Sequence, residues 1–275
     1  MQQSPVKVAD NARAAAAREE ATLHVLAVGV TEYHDADLRL KYAARDAEDI
    51  AERFRQRGGA LFKQRVNATA LTDARATVAN IEATLKAMAA KARPNDTFVL
   101  YMAGHGTVLA DSGEYHFLPH ELVYENDQSI SRQAVSQSRL RTWMSWLPVR
   151  SLLLLDTCRA GNVVQLASRA GEEKGAFASL IRLSNRAVIV ASSSDKMALE
   201  GYKDHGVFSW VVLDALDNAD YDNNGQVDVT DIATHVRRLV PEITEKTFKY
   251  RQVPMQDTPG DPFAVAQPVR RGVKK

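Results

Sequence analysis

Short apolar runs constrain this chain more than any other feature. Leu23 to Val30, Thr97 to Ala103, Leu152 to Leu155 and Ala187 to Ala191 are too short for core helices and hold few polar residues. Apolar at consecutive rather than alternate positions, each reads as a strand covered on both faces. Helical spacing separates them. Leu40, Ala43, Ala44, Ala47, Ile50, Ala51 and Phe54 form one stripe, which Gly58 and Gly59 are expected to stop. Val78, Ile81, Leu85 and Met88 form a second, with Asp73 or Thr77 as N-cap, and Leu140, Trp143, Met144 and Leu147 a third, ended by Pro148. Arg65 to Leu71 reads as a further strand, Val108 to Leu118 as a hairpin around Asp111-Ser112-Gly113, and Val207 to Leu216 as a helix. Strands alternating with helices predict an α/β domain: a roughly six-stranded, mostly parallel sheet flanked by helices on both faces.

The 275 residues, 45% of them hydrophobic, suffice for one substantial core. The reading divides the chain into an N-terminal linker or extension (1–22), one domain (23–265) and a C-terminal tail (266–275). Lys plus Arg number 35 against 34 Asp plus Glu, a net charge of +1, which gives no electrostatic case for nucleic acid as a partner. Arg270, Arg271, Lys274 and Lys275 read as a solvated terminus. Cys158 is the single cysteine, so no intramolecular disulfide forms. No apolar run approaches a membrane span, and Met1 to Glu20 lack the apolar stretch of a signal peptide. A cytoplasmic location is the expectation, with no membrane partner.

In open α/β sheets, ligands bind beyond the carboxyl ends of the strands. Gly104-His105-Gly106 follows the run Thr97 to Ala103, and Asp156-Thr157-Cys158 follows Leu152 to Leu155, so both are expected on one edge. A thiol is only slightly ionised at neutral pH; a neighbouring imidazole takes its proton and later protonates a leaving amine. Glycines beside such groups let backbone approach a substrate. The plainer reading makes Cys158 a small buried residue and His105 a turn residue.

Tyr101-Met102-Ala103-Gly104-His105-Gly106 resembles the strand-then-His-Gly motif of caspases, metacaspases and their bacterial relatives, and Leu154-Leu155-Asp156-Thr157-Cys158-Arg159-Ala160-Gly161 resembles their nucleophile motif. The separation of the two is near the roughly 50 residues expected for caspases. Val28-Gly29-Val30, Leu40 to Asp46, and Ala191 through Gly206-Val207-Phe208 are also similar, so the resemblance spans about residues 23 to 265. It implies a caspase-like fold and a cysteine endopeptidase acting on proteins or peptides through a thioester, closest to a bacterial metacaspase type. His105 is then the general base, Cys158 the nucleophile, and the amides of Gly106 and Cys158 the oxyanion hole. No cofactor is required for that chemistry. A non-catalytic interaction module on the same scaffold is the alternative.

Asp156 two places before the cysteine, and Gly161 three after it, look like metacaspases and paracaspases, which cleave after Arg or Lys. The resemblance assigns Asp156 and Asp46 to a P1 pocket, where two carboxylates pair with a basic side chain and repel an acidic one. The plainer readings are a strand-end cap for Asp156 and an exposed helical charge for Asp46; a different P1 preference is the alternative. Ser192, Ser193, Ser194 and Glu200 are implied to wall the substrate cleft. Arg159 stands where metacaspases often carry histidine. Regulated or signalling proteolysis is implied, with a sensor or activator domain or protein as a partner. In the polar segment Asn162 to Arg186, Arg169 and Lys174 are candidate self-cleavage points.

Asp220, Asp222, Asn224, Gln226 and Asp228 resemble the start of a calcium loop, with Gly225 at its sixth position. Asp231 stands at position twelve, where glutamate is usual, so calcium and a plain helix-capping turn both remain open. His24, His34, His205 and His235 have no evident partner, and Pro119 keeps His116 and His120 off one helical face. Trp143 and Trp146 read as packing residues.

Overall fold

The computed structural model describes residues 21–159, 175, 186–191 and 199–269, with Cys158 and Arg159 described by their backbone. Arg169, Lys174, Ser192, Ser193 and Ser194 lie outside the described residues, as do residues 1–20 and the basic tail.

Along the chain run β1 (Leu23–Gly29), α1 (Ala43–Leu61), β2 (Val66–Thr72), α2 (Val78–Ala89), β3 (Thr97–Val108), β4 (Tyr115–Phe117), α3 (Asp127–Gln133), β5 (Val135–Ser136), α4 (Gln137–Ser145) and β6 (Arg150–Arg159). Then follow β7 (Ala187–Val190), β8 (Glu200–Tyr202), β9 (His205–Gly206), α5 (Val207–Asn218), β10 (Val227–Asp228), α6 (Val229–Phe248), β11 (Met255–Asp257) and β12 (Ala264–Ala266). The main sheet has the order β11-β7-β6-β3-β1-β2, with β4 and β5 added beside the far end of β3. β7, β6, β3, β1 and β2 are mutually parallel, while β11, β4 and β5 are antiparallel.

The continuous apolar runs have a direct cause. Successive residues of a strand point to opposite faces, and both faces here carry helices. Leu23, Val25 and Ala27 of β1, Val99 and Tyr101 of β3, and Leu152 and Leu154 of β6 pack with α1, α5 and α6. Leu26 and Val28, Phe98 and Leu100, and Leu153 and Leu155 pack with α2 and α4 on the other face. Trp143 is buried in that second layer.

Two expectations are corrected and two are sharpened. Gly58 and Gly59 do not stop α1, which runs through both to Leu61. A Cβ on Gly58 would stand 2.6 Å from Leu23 Cδ2, so this glycine lets the helix sit against β1. The reversal comes later, at Lys63 and Gln64, which take φ of 48° and 66°, and Gln64 N–H closes the helix end on Gly59 O at 2.7 Å. The His and Cys motifs do not follow their strands but lie inside them, because β3 and β6 pair as far as Gly106 and Arg159. Of the two candidates for the N-cap of α2, Thr77 takes the role, accepting from Asn80 N, while Asp73 takes the N–H groups of Thr31 and Glu32 at 2.8 Å each. Helix α6 begins at Val229 and continues to Phe248 behind a capping box of Asp228 and Asp231.

Candidate active site

The ladder between β3 and β6 fixes the centre of the site. Ala103 pairs with Asp156, Gly104 with Thr157, His105 with Cys158 and Gly106 with Arg159. Adjacent strands lie about 4.8 Å apart, so the backbones of His105 and Cys158 are neighbours by construction. Gly104 has φ of 150°, and a Cβ there would meet the Tyr33 hydroxyl at 2.7 Å. Glycine is needed on both counts.

His105 is held from two directions. Its backbone N–H donates to the Tyr33 hydroxyl at 2.7 Å, and the two rings are 5.1 Å apart. Its Nε2 lies 2.8 Å from the Leu38 carbonyl oxygen. A carbonyl only accepts, so Nε2 carries the hydrogen and Nδ1 keeps the lone pair. The ring is thereby set in the tautomer that accepts a proton at Nδ1. Burial pushes the Tyr33 hydroxyl far above its usual range, so it stays protonated. Beside it, the Tyr115 hydroxyl donates to Thr157 Oγ1 at 2.8 Å, with the Tyr115 ring across the face of Gly106.

Asp46 and Asp156 come together, although they arrive on α1 and β6. The meeting point is Gly206 at the start of α5: a Cβ there would lie 3.1 Å from Asp156 Oδ2 and 3.2 Å from Asp46 Oδ2. Asp46 accepts from Gly206 N–H at 3.0 Å and lies 2.6 Å from His205 Nδ1. Asp156 accepts from Ser209 Oγ, which is bonded to the Tyr101 hydroxyl at 2.6 Å. Both carboxyl groups are buried, Asp46 at 2% and Asp156 at 9% exposure, so Asp46 is not the surface charge its plainer reading described. Asp156 is not a strand-end cap either, since β6 continues past it.

Glu200 joins this cluster. Its carboxylate accepts from the N–H groups of Lys41 and Tyr42 at 3.2 to 3.3 Å. Burial pushes Asp156 up to about 7, with the charges of Asp46 and Glu200 adding to the rise against the Ser209 bond. Burial also raises Asp46, opposed by His205 and Gly206. It raises Glu200, opposed by the Lys41 and Tyr42 amides and reinforced by Asp46. Carboxylates so placed attract a proton or another cation.

Sequence reasoning missed Tyr33, the Leu38 carbonyl and Ser209, named Tyr101 only within the His motif, and placed Glu200 in the cleft wall rather than beside Asp46. Tyr101 carried a signal through that motif, and Glu200 and Ser209 through the segment around Gly206-Val207-Phe208. Three histidines have partners that the sequence hid: His24 with Asp96 at 3.2 Å, His205 with Asp46, and His235 with Asp214 at 2.8 Å.

The loop from Asp220 to Asp231 is exposed at its tip and bonded to itself. Asp220 accepts from Asn224 and Gly225 N–H, Asp222 from the Asn224 amide at 2.8 Å, Asn224 from Gln226 N–H, and Asp228 and Asp231 cap α6. Among the described residues no three His, Cys, Asp or Glu side chains converge as a metal site. Among the same residues no helix is long and apolar enough to cross a membrane.

The crystal structure of protein GSU0716 from Geobacter sulfurreducens is similar over 90% of this chain and 97% of its own, with 17% identity and a TM-score of 0.60; the likeness is one of fold. No curated protein matches the chain. The family model of the caspase domain matches residues 22–260, from β1 through β11. The chain therefore belongs to the caspase-domain family and is a cysteine peptidase, a hydrolase whose substrates are proteins or peptides.

Proposed function

We propose that the protein is an endopeptidase that cleaves after Arg or Lys, with Cys158 as nucleophile and His105 as general base. One observation carries the reading: His105 and Cys158 are register partners at the end of the sheet where the Asp46–Asp156–Glu200 cluster gathers. The Cys158 thiol gives its proton to His105 Nδ1 and attacks the P1 carbonyl carbon. The oxyanion is held by the amides of Gly106 and Cys158. The C–N bond breaks as His105 protonates the leaving amine, and water then hydrolyses the thioester, returning the thiol. The buried carboxylates pair with the P1 cation, which fits guanidinium better than ammonium where two oxygens are offered.

A fluorogenic panel with Arg, Lys, Asp or Leu at P1, beside Cys158→Ala and His105→Ala controls, tests the whole reading. Cleavage after Arg and Lys alone, reduced at least about 1,000-fold in either control, is expected. Cleavage after Asp or Leu would remove the acidic pocket, and no cleavage at all would favour an interaction module. Self-cleavage at Arg169 or Lys174 belongs to the same reading: the active chain yields two fragments on incubation and Cys158→Ala stays intact. Calcium is not needed for bond breaking, and its addition to the same panel checks whether the Asp220 loop contributes.

A further inference from the structure

The P1 pocket, as read above, already holds a cation-forming group of its own. His205 sits on β9, immediately before Gly206, and its Nδ1 is 2.6 Å from Asp46 Oδ1. Its Nε2 lies 3.9 Å from Asp49 Oδ2, one turn further along α1. The His205 side chain is 13% exposed and that of Asp46 3%, so the ring reaches solvent from the inside of the cluster. Asp46 and Asp49 face it from α1, Asp156 lies beyond Gly206 on β6, and Glu200 comes from β8, whose strand pairs with β9. Lys203 and Asp204 form the tip of that hairpin, and Lys203 Nζ is directed onto the Trp210 ring at 4.1 Å. Arg45 on α1 also pairs with Asp49 Oδ2 at 3.5 Å, and Lys41 acts on Glu200, so the acids around the ring come from three elements and two cations lie at their outer edge.

We propose that His205 is the resident counter-cation of the P1 pocket: its imidazolium and the P1 side chain of the substrate compete for Asp46, and protonation of His205 gates cleavage after basic residues. The proposal rests on reading Asp46 as a wall of that pocket. A neutral ring still donates from Nδ1 to Asp46 and keeps the carboxylate in place. A charged ring adds a positive charge beside the one the substrate brings. Binding of the P1 cation and protonation of His205 then oppose each other by the same factor in both directions. His205 acts through Asp46 and is a positioning residue, not a catalytic one.

The test pairs two peptides that differ only at P1, arginine in one and its neutral isostere citrulline in the other. Their ratio of kcat/KM cancels the ionisation of Cys158 and His105. His205→Asn keeps an N–H near the Nδ1 position and cannot be charged. Between pH 5.5 and 8 the Arg-to-citrulline ratio should rise about tenfold more steeply in the wild type than in His205→Asn, as expected for removing one unit charge near the P1 site. Parallel rises in the two proteins would overturn the gate while leaving the acidic pocket standing. Equal cleavage of both peptides by the wild type at pH 8 would remove the pocket and the gate with it. If His205→Asn fails to fold, the His205 ring is titrated by NMR in Cys158→Ala. A peptide ending in arginine should lower its midpoint by about one unit and the citrulline peptide should not, one unit being the tenfold competition; equal midpoints would overturn the proposal.

Discussion

The two ends of the sheet each bury carboxyl groups against histidine, and they do so to opposite effect. At the entry to β1 and β3, Asp96 accepts from Thr22 N–H at 2.7 Å, Arg93 N–H at 2.8 Å and His24 Nε2 at 3.2 Å, and His24 Nδ1 accepts from Asn67. One buried carboxylate there has three donors, and its partner ring is satisfied at both nitrogens. At the exit, Asp46, Asp156 and Glu200 share the protein with one histidine and a few neutral donors. The first arrangement closes the domain. The second leaves a surplus of negative charge that a ligand can complete. Pairing with histidine is thus no guide to role; the ratio of acids to donors is.

The largest expected effect lies at the exit. Asp156→Asn should lower kcat/KM on P1 Arg peptides by about 100- to 1,000-fold, the usual loss when one partner of a buried charge pair is removed. In the wild type that activity should rise with pH through about 7, because the ionised form of Asp156, which the proposed pocket uses to hold the P1 cation, gains population through that point. The stability effect has the opposite sense. A carboxyl raised from 3.8 to about 7 on folding destabilises the native state progressively as pH rises between those values. The asparagine variant should therefore be more stable than the wild type at pH 8 by up to about 3 to 4 kcal/mol, with the gap closing near pH 4 in urea titrations. A variant less stable at pH 8 would show that the exit cluster is a fold element like the entry one.

Asp96→Ala probes the other side of the comparison. It leaves two backbone N–H groups and His24 without their acceptor, and should destabilise the domain by about 3 kcal/mol while kcat/KM per folded molecule stays within about twofold. A selective loss of activity without a shift in the unfolding midpoint would break the contrast. The smallest effect is expected from Gly206→Ala. Its φ of −63° suits alanine, so stability should change by less than about 1 kcal/mol. The added methyl would press on both carboxyl groups, and cleavage after Arg should fall about tenfold. Unchanged cleavage would mean that the P1 side chain does not pass this glycine.

The layered sheet was legible in the sequence because its signal is local. Val25, Leu26, Val99, Leu100, Leu153 and Leu154 are apolar whichever face they take, and a run of such residues has few other uses. The His and Cys motifs were legible for the same reason, as short words that carry glycine, though the strands running through them were not. The end of α1 was not, because Gly58 is placed by the Leu23 side chain, a contact no local rule contains. The partners of His205 and His235 were illegible because they come from other elements brought near by the sheet. The Leu38 carbonyl that sets the His105 tautomer has no side-chain signature. Short strands such as β8, β9 and β11 exist only because a neighbour offers its edge.

The continuation of β3 and β6 through their motifs ties the proposed His105–Cys158 pairing to strand register. A parallel ladder slips only by whole residues, and a slip of one would set Thr157 or Arg159 opposite His105, a slip of two Asp156. None of these is a thiol, and the chain has no second cysteine to take the place. On the proposed chemistry, changes that disturb this register would remove working copies, whereas changes in the acidic cluster would slow each copy that remains.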